Sequence, residues 1–275
     1  MGRSERITLG DVRRVFELLD DLKHSGSQPA DWRRHMSERL RELIGSQVSV
    51  SCLIPTPSEG SRLVLRDPVD VGYPTKLARS VFQDWADRSD FTRDPTMARI
   101  EPYVVAGRAV SISRPQLQDD RSWYRSFHYN EVRRLTTMDD FIRSYRPLPG
   151  APYGTWLSLA REASDGPFKR RDRKIVRLFH LELNRALADC ERKRQESSPL
   201  HDLPPRLRQT AELLLSGLVE KQIAARLGLS SHSVHEYVKR LYKRLNVTSR
   251  AELAARLAPA LFDSRRSWRY PTETL

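Results

Sequence analysis

The tightest constraint on this chain is a twenty-residue unit that begins at Glu220. Ile223, Leu227, Leu229, Val234 and Tyr237 fall at its positions 4, 8, 10, 15 and 18, an apolar underside shared by two helices rather than one. Ala224 puts a small side chain where the helices must cross closely. Gly228, four residues later, supplies the positive φ that a tight turn between them needs. Ser230 can cap the second helix, because its hydroxyl accepts from N–H groups that have no partner in the first turn. An ordinary helical hairpin need meet none of these demands at fixed offsets. The unit predicts a helix-turn-helix.

The flanking residues carry a resemblance. Leu203, Pro205-Arg206, Gly217, Ile223-Ala224, Leu227-Gly228, Ser233-Val234, Leu241, Arg244-Leu245, Val247 and Ser249-Arg250 together resemble the DNA-binding domain of the LuxR (GerE) family over about fifty-five residues. The resemblance implies four helices, a recognition helix in the major groove from about Ser231 to Leu245, and a last helix from about Ser249 to Leu257 used for dimerisation. With Val234, Leu241 and Leu245 turned inward, His235, Glu236 and Lys239 are expected to read bases. Ser233, Arg240 and Lys243 are expected to meet phosphates. Leu253, Ala254 and Leu257 form the expected dimer face. The chain departs from the family at three places. Leu207 stands where Glu is usual, His235 where Lys is common, and Tyr237 where His is common, so no target sequence is carried over.

Charge agrees with a polyanionic partner. The net charge is +13, and residues 201–275 hold thirteen Lys and Arg against seven Asp and Glu. The start, MGRSERITLGDVRR, has no apolar stretch, and no run approaches the roughly 18–20 residues of a membrane span, so a cytoplasmic protein without membrane contact is expected. Cys52 and Cys190 read as reduced core thiols. His232 and His235 are three apart, but no carboxylate or thiol is arranged around them for a metal. No phosphate loop, nucleophile elbow or metal spacing is present, so neither an enzyme nor a cofactor is expected.

The first 190 residues mix periods. Thr8 and Asp11 open a helix bearing Val12, Val15, Phe16, Leu19 and Leu22, and a second runs from Trp32 to Leu43 and stops at Gly45. Val48, Val50, Cys52 and Ile54 alternate as a strand, PTPSEG turns, and Arg62 to Arg66 reads as the return. A helix follows near Leu77 to Trp85, then an irregular segment through Asp94-Pro95 and a short strand near Val110 and Ile112. An aromatic helix with Trp123, Tyr124, Phe127 and Val132, strands near Phe141-Ile142 and Thr155–Leu159, and a long helix with Val176, Phe179, Leu183, Leu187 and Cys190 complete the half. The order is similar to that of GAF or PAS-like sensors; a phosphoacceptor receiver, which opens on a strand ending in an acidic pair, is excluded.

The expected fold is therefore an α+β, GAF/PAS-like sensor domain over residues 1–190, followed by an all-α four-helix LuxR-type helix-turn-helix domain over 203–262. Residues 191–202 read as a linker and 263–275 as a basic tail. Trp85, Phe91, Tyr103, Trp123, Tyr124 and Phe127 could line a ligand pocket, and Asp94-Pro95 is similar to the acidic-proline pair of acyl-homoserine-lactone receptors without their Trp and Tyr pattern. The expected function is sequence-specific transcriptional regulation. Its partners are double-stranded DNA, a second copy, a small-molecule or protein signal at the first domain, and RNA polymerase if the protein activates. The competing readings are a dimerisation module with little DNA binding, and an enzyme in the first half.

Overall fold

The computed structural model of the protein describes residues 5–23, 29–56, 63–87, 93–196, 200 and 202–257. The chain parts at Cys190 into two units, each with its own apolar core. No described helix is long and apolar enough to cross a membrane.

In the first unit, the Thr8 N–H and hydroxyl both donate to Asp11 at 2.9 Å, and the Asp11 N–H donates back to the Thr8 hydroxyl at 3.2 Å. This reciprocal cap opens α1 (Leu9–Lys23). α2 (Pro29–Ile44) ends at Gly45, whose φ of +67° closes the last turn. β1 (Val48–Pro55) and β2 (Arg66–Val71) follow, then α3 (Lys76–Asp87), α4 (Met97–Val105), β3 (Val110–Ser113), α5 (Arg114–Leu117) and α6 (Asp120–Arg125). A π-helical turn, Tyr129–Arg133, leads to β4 (Met138–Pro147), β5 (Tyr153–Glu162) and α7 (Arg170–Glu196). The five strands form one antiparallel sheet in the order β2-β1-β5-β4-β3.

Both sheet faces are covered. Val48, Val50, Cys52 and Ile54 join Phe82, Met97, Ile100, Phe141 and Trp156 in one core. The other phase of β1, Ser49 and Ser51, is also fully buried. On that side the α7 residue His180 is fully buried between strands, with Nδ1 2.7 Å from the Ser144 hydroxyl and Nε2 2.7 Å from that of Thr155.

Three expectations are corrected. The return of the first hairpin is Arg66–Val71 rather than 62–66, with a register shift between Ser51 and Leu53. The segment after Asp94-Pro95 continues into α4, even though Pro102 lies inside that helix. Its entrance is organised by a buried ion pair: Arg143 donates to Asp94 at 2.6 Å, and the Thr96 N–H donates to the same carboxylate at 2.9 Å. Complete burial would raise the Asp94 carboxyl, but the charges of Arg143 and Arg133 and the Thr96 hydroxyl bond hold it well below the usual carboxylate range. The aromatic helix is in two pieces, α6 and the π turn. The Asp119 carboxylate caps α6 by accepting from the Ser122 N–H at 2.9 Å.

The second unit holds α8 (Pro205–Leu215), α9 (Glu220–Leu227), α10 (Ser231–Leu245) and α11, helical over 250–257.

The buried histidines set a pH dependence. Burial pushes His128 down to about 3 and His180 well below its ordinary value, so both are neutral in the folded protein. The unfolded chain protonates them near pH 6.5, so stability is complete above that pH and declines below it, by about 1.4 kcal/mol per pH unit for each histidine. His180→Gln should remove one of these two contributions. Urea denaturation followed by tryptophan fluorescence between pH 7.5 and 5 would show the shallower slope.

Candidate nucleic-acid interface

The α9–α10 crossing is built from small parts. Ile223 and Val234 are fully buried, and Ala224 is buried beside them, so the two helices approach without a bulky side chain between them. Gly228 adopts a left-handed conformation at φ 64° and ψ 38°, and the Leu229 N–H donates to the Ala224 carbonyl at 2.9 Å. The Ser230 hydroxyl accepts from the Ser233 N–H at 3.0 Å and starts α10. At the far end Asn246, also left-handed at φ 49°, stops it. Val238, Leu241 and Leu245 complete the inward stripe with Leu207, Ala211 and Leu214 of α8. Leu227, Leu229 and Tyr237 pack against that core and are partly buried.

A residue turns about 100° from the last along an α-helix, so burying Val234, Val238, Leu241 and Leu245 turns a different set outward. His232, Glu236, Lys239 and Lys243 lie within about 40° of the direction opposite Val234, and Arg240 flanks them. Lys239, Arg240 and Lys243 are exposed. The Lys239 ammonium lies 3.4 Å from the Glu236 carboxylate, a loose surface pair.

Of the expected base readers, Glu236 and Lys239 are therefore together, but His235 sits on the flank. Its Nδ1 is 3.1 Å from the Glu220 carboxylate at the start of α9. Ser233 is engaged in the cap, with its hydroxyl 2.8 Å from that of Ser230. His232, not singled out by the sequence reading as a reader, shares the outward stripe; helical spacing from Val234 alone would have found it.

Other basic residues hold the unit together. Arg250 donates to the Leu214 carbonyl at 2.5 Å, and Arg244 donates to the Asp202 carbonyl at 2.9 Å. The expected dimer face is corrected. Leu253 and Leu257 are fully buried in their own domain core, so they are not surface for a second copy; Ala254 is exposed.

The six pocket candidates do not converge either. Trp123 is fully buried and donates from Nε1 to Asp139 at 3.1 Å. Tyr124 donates to the same carboxylate at 2.8 Å yet is 41% exposed, and Tyr103 and Phe127 also face solvent. Phe91 lies outside the described residues. Trp85 lines a cavity, together with Phe82, Met97, Trp156, Arg133 and Arg143.

Residues 201–257 match the family described as bacterial regulatory proteins, luxR family. Transcriptional regulatory protein UhpA of Escherichia coli (strain K12) is 46% identical over 55 residues, covering 20% of this chain and 28% of that protein. A putative HTH-type transcriptional regulator in the exeN 3'region of Aeromonas salmonicida is 51% identical over 51 residues, covering 18% and 26%. The chain thus spans about a quarter of the length of these curated relatives. A solved structure of SdiA in complex with octanoyl-rac-glycerol covers 93% of this chain and 97% of its own, at 16% identity and a TM-score of 0.50, which is a likeness of fold.

Gly228 isolates the contribution of the turn. A Cβ there would meet no atom within 4 Å, so the cost of Gly228→Ala is the left-handed backbone alone, about 1–2 kcal/mol. Gly228→Asn should cost less, since Asn tolerates that conformation. Thermal denaturation of the second unit, read through far-UV circular dichroism, should rank Gly, Asn and Ala in that order.

Proposed function

We propose that this chain, whose residues 201–257 form a LuxR-family helix-turn-helix domain, is a sequence-specific DNA-binding transcriptional regulator of the cytoplasm rather than an enzyme. One observation carries the reading: an exposed stripe on α10 with Lys239, Arg240 and Lys243 around Glu236, on a helix whose opposite side closes the core. A helix of this kind fits the major groove, where Lys donates to guanine O6 or N7 and Glu accepts from a cytosine amino group. Arg240 and Lys243 serve phosphates, together with Ser233 at the helix start. His235, held near Glu220, contacts the edge of the site.

The protein binds as a homodimer. With Leu253 and Leu257 in the core, the contact on α11 falls to the exposed Ala251, Ala254 and Ala255, whose small side chains allow two helices to approach about a two-fold axis. Half-sites then lie about one helical turn apart as an inverted repeat. The first unit is a sensor of the GAF/PAS-like kind that takes a small molecule at the cavity beside Trp85. An activating form would engage RNA polymerase. SdiA, the fold neighbour, has been solved with octanoyl-rac-glycerol bound, which supports a small-molecule role for such a unit.

Selection of sites from random DNA, followed by mobility shifts across a salt series, tests this function. Binding should fall steeply with salt, and a salt-independent complex would contradict it. Lys239→Ala should weaken binding and relax one base position by about 1–3 kcal/mol. Glu236→Ala should instead raise non-specific affinity, since it removes a repulsive carboxylate and frees Lys239, and should reduce preference for C·G at its position. An unchanged site preference in Glu236→Ala would place Glu236 away from the bases.

A further inference from the structure

The cavity beside Trp85 contains an unusual group. Arg133 is 94% buried by its 6% exposure, and its Nε donates to the His128 Nε2 at 3.1 Å. Among the described residues its two terminal nitrogens make no hydrogen bond, and no carboxylate lies within ion-pair distance of them. Asp94 and Asp139 act on its charge through space, but each is hydrogen-bonded elsewhere. Asp94 is held by Arg143 at 2.6 Å, and Asp139 accepts from Trp123 and Tyr124. The Phe141 ring gives Arg133 partial compensation, with the guanidinium carbon 4.9 Å from its centroid, but that ring also serves Arg143 at 4.3 Å. Burial, and secondly the Arg143 charge, push Arg133 down to about 10. Its terminal nitrogens are not among the fully buried, partnerless atoms, so they keep accessible surface, and a cation left this far from water favours an anionic partner.

Arg133, Arg143 and Ser158 are the polar residues lining the void, and the rest of its lining is apolar or aromatic, including Phe82, Trp85, Met97 and Trp156. We infer that the first unit binds an organic acid with an apolar body, whose carboxylate pairs with Arg133 at this cavity. The inference rests on the proposed sensor role of the unit and gives that sensor its ligand class. A mostly apolar wall with a few convergent polar groups is the usual make-up of such a site, and here Arg143 is already paired with Asp94. A guanidinium also matches a carboxylate with two parallel donors. A neutral amide or ester would leave the charge unanswered. The open space is about 20 Å³, enough for one water or the end of an acid group. The body of the ligand therefore displaces side chains of the α3–α4 wall, Trp85 and Met97 among them, and the tryptophans report its entry.

The test uses the full chain with octanoate, and octanol as the neutral counterpart of the same length. Octanoate should change tryptophan emission and raise Tm, at about tenfold lower concentration than octanol. Arg133→Met should abolish that preference, and Arg133→Lys should keep part of it. If octanol matches octanoate in the natural protein, or Arg133→Met binds octanoate as tightly, the acid inference is overturned while the cavity remains a ligand site. If neither compound binds, the sensor role at this cavity fails as well. Should Arg133→Met not fold, the octanoate-to-octanol ratio of the natural protein and the Arg133→Lys variant still decide the matter.

Discussion

The second unit depends on one close crossing. α9 and α10 meet through Ala224 and Val234, and the left-handed Gly228 between them sets the angle at which α10 leaves. Everything outward on α10 follows from what that crossing buries. With Val234, Val238, Leu241 and Leu245 inside, His232, Glu236, Lys239 and Lys243 have no direction but outward. The function is thus a consequence of packing on the opposite side of the same helix. The basic residues divide accordingly: Arg244 and Arg250 terminate backbone carbonyls within the domain, while Lys239, Arg240 and Lys243 remain exposed.

The first unit solves a different problem. Its antiparallel sheet is covered on both sides, so polar groups on both faces of its strands are buried and several are satisfied internally. His180 does this between Ser144 and Thr155, and Arg143 does it with Asp94 and Thr96 on the other face. A buried network of this kind adds little net stability but is costly to break on one side only, which restricts the arrangements the core can adopt. Arg133 is the member of that network whose charge is least well answered.

Local chemistry made some of this legible from residues alone. The Thr8–Asp11 cap, Gly45, Gly228 and Ser230 each act through neighbours within a few positions, and the alternation over Val48–Ile54 reports a strand directly. α4 is not legible locally, since Pro102 lies inside it and the ion pair that organises its entrance joins Asp94 to a residue 49 positions away. The Leu253 and Leu257 pair looked like a contact surface because spacing gives a face but not what covers it. Here the covering is the domain's own α8 and α10 core, and the alanines at 251, 254 and 255 are what remains outside. The pocket failed as a list for a similar reason. Aromatic residues adjacent in sequence, such as Trp123 and Tyr124, share the Asp139 carboxylate but differ in burial, and Arg133 carries no local signal at all.

Entry of α10 into the major groove is open to direct measurement by methylation interference. Dimethyl sulfate marks guanine N7 in the major groove and adenine N3 in the minor groove of the same duplex. On the selected operator, methylated guanines within each half-site should exclude the full-length protein, while methylated adenines there should be tolerated. Exclusion by adenine N3 methylation alone, or by neither mark, would contradict it.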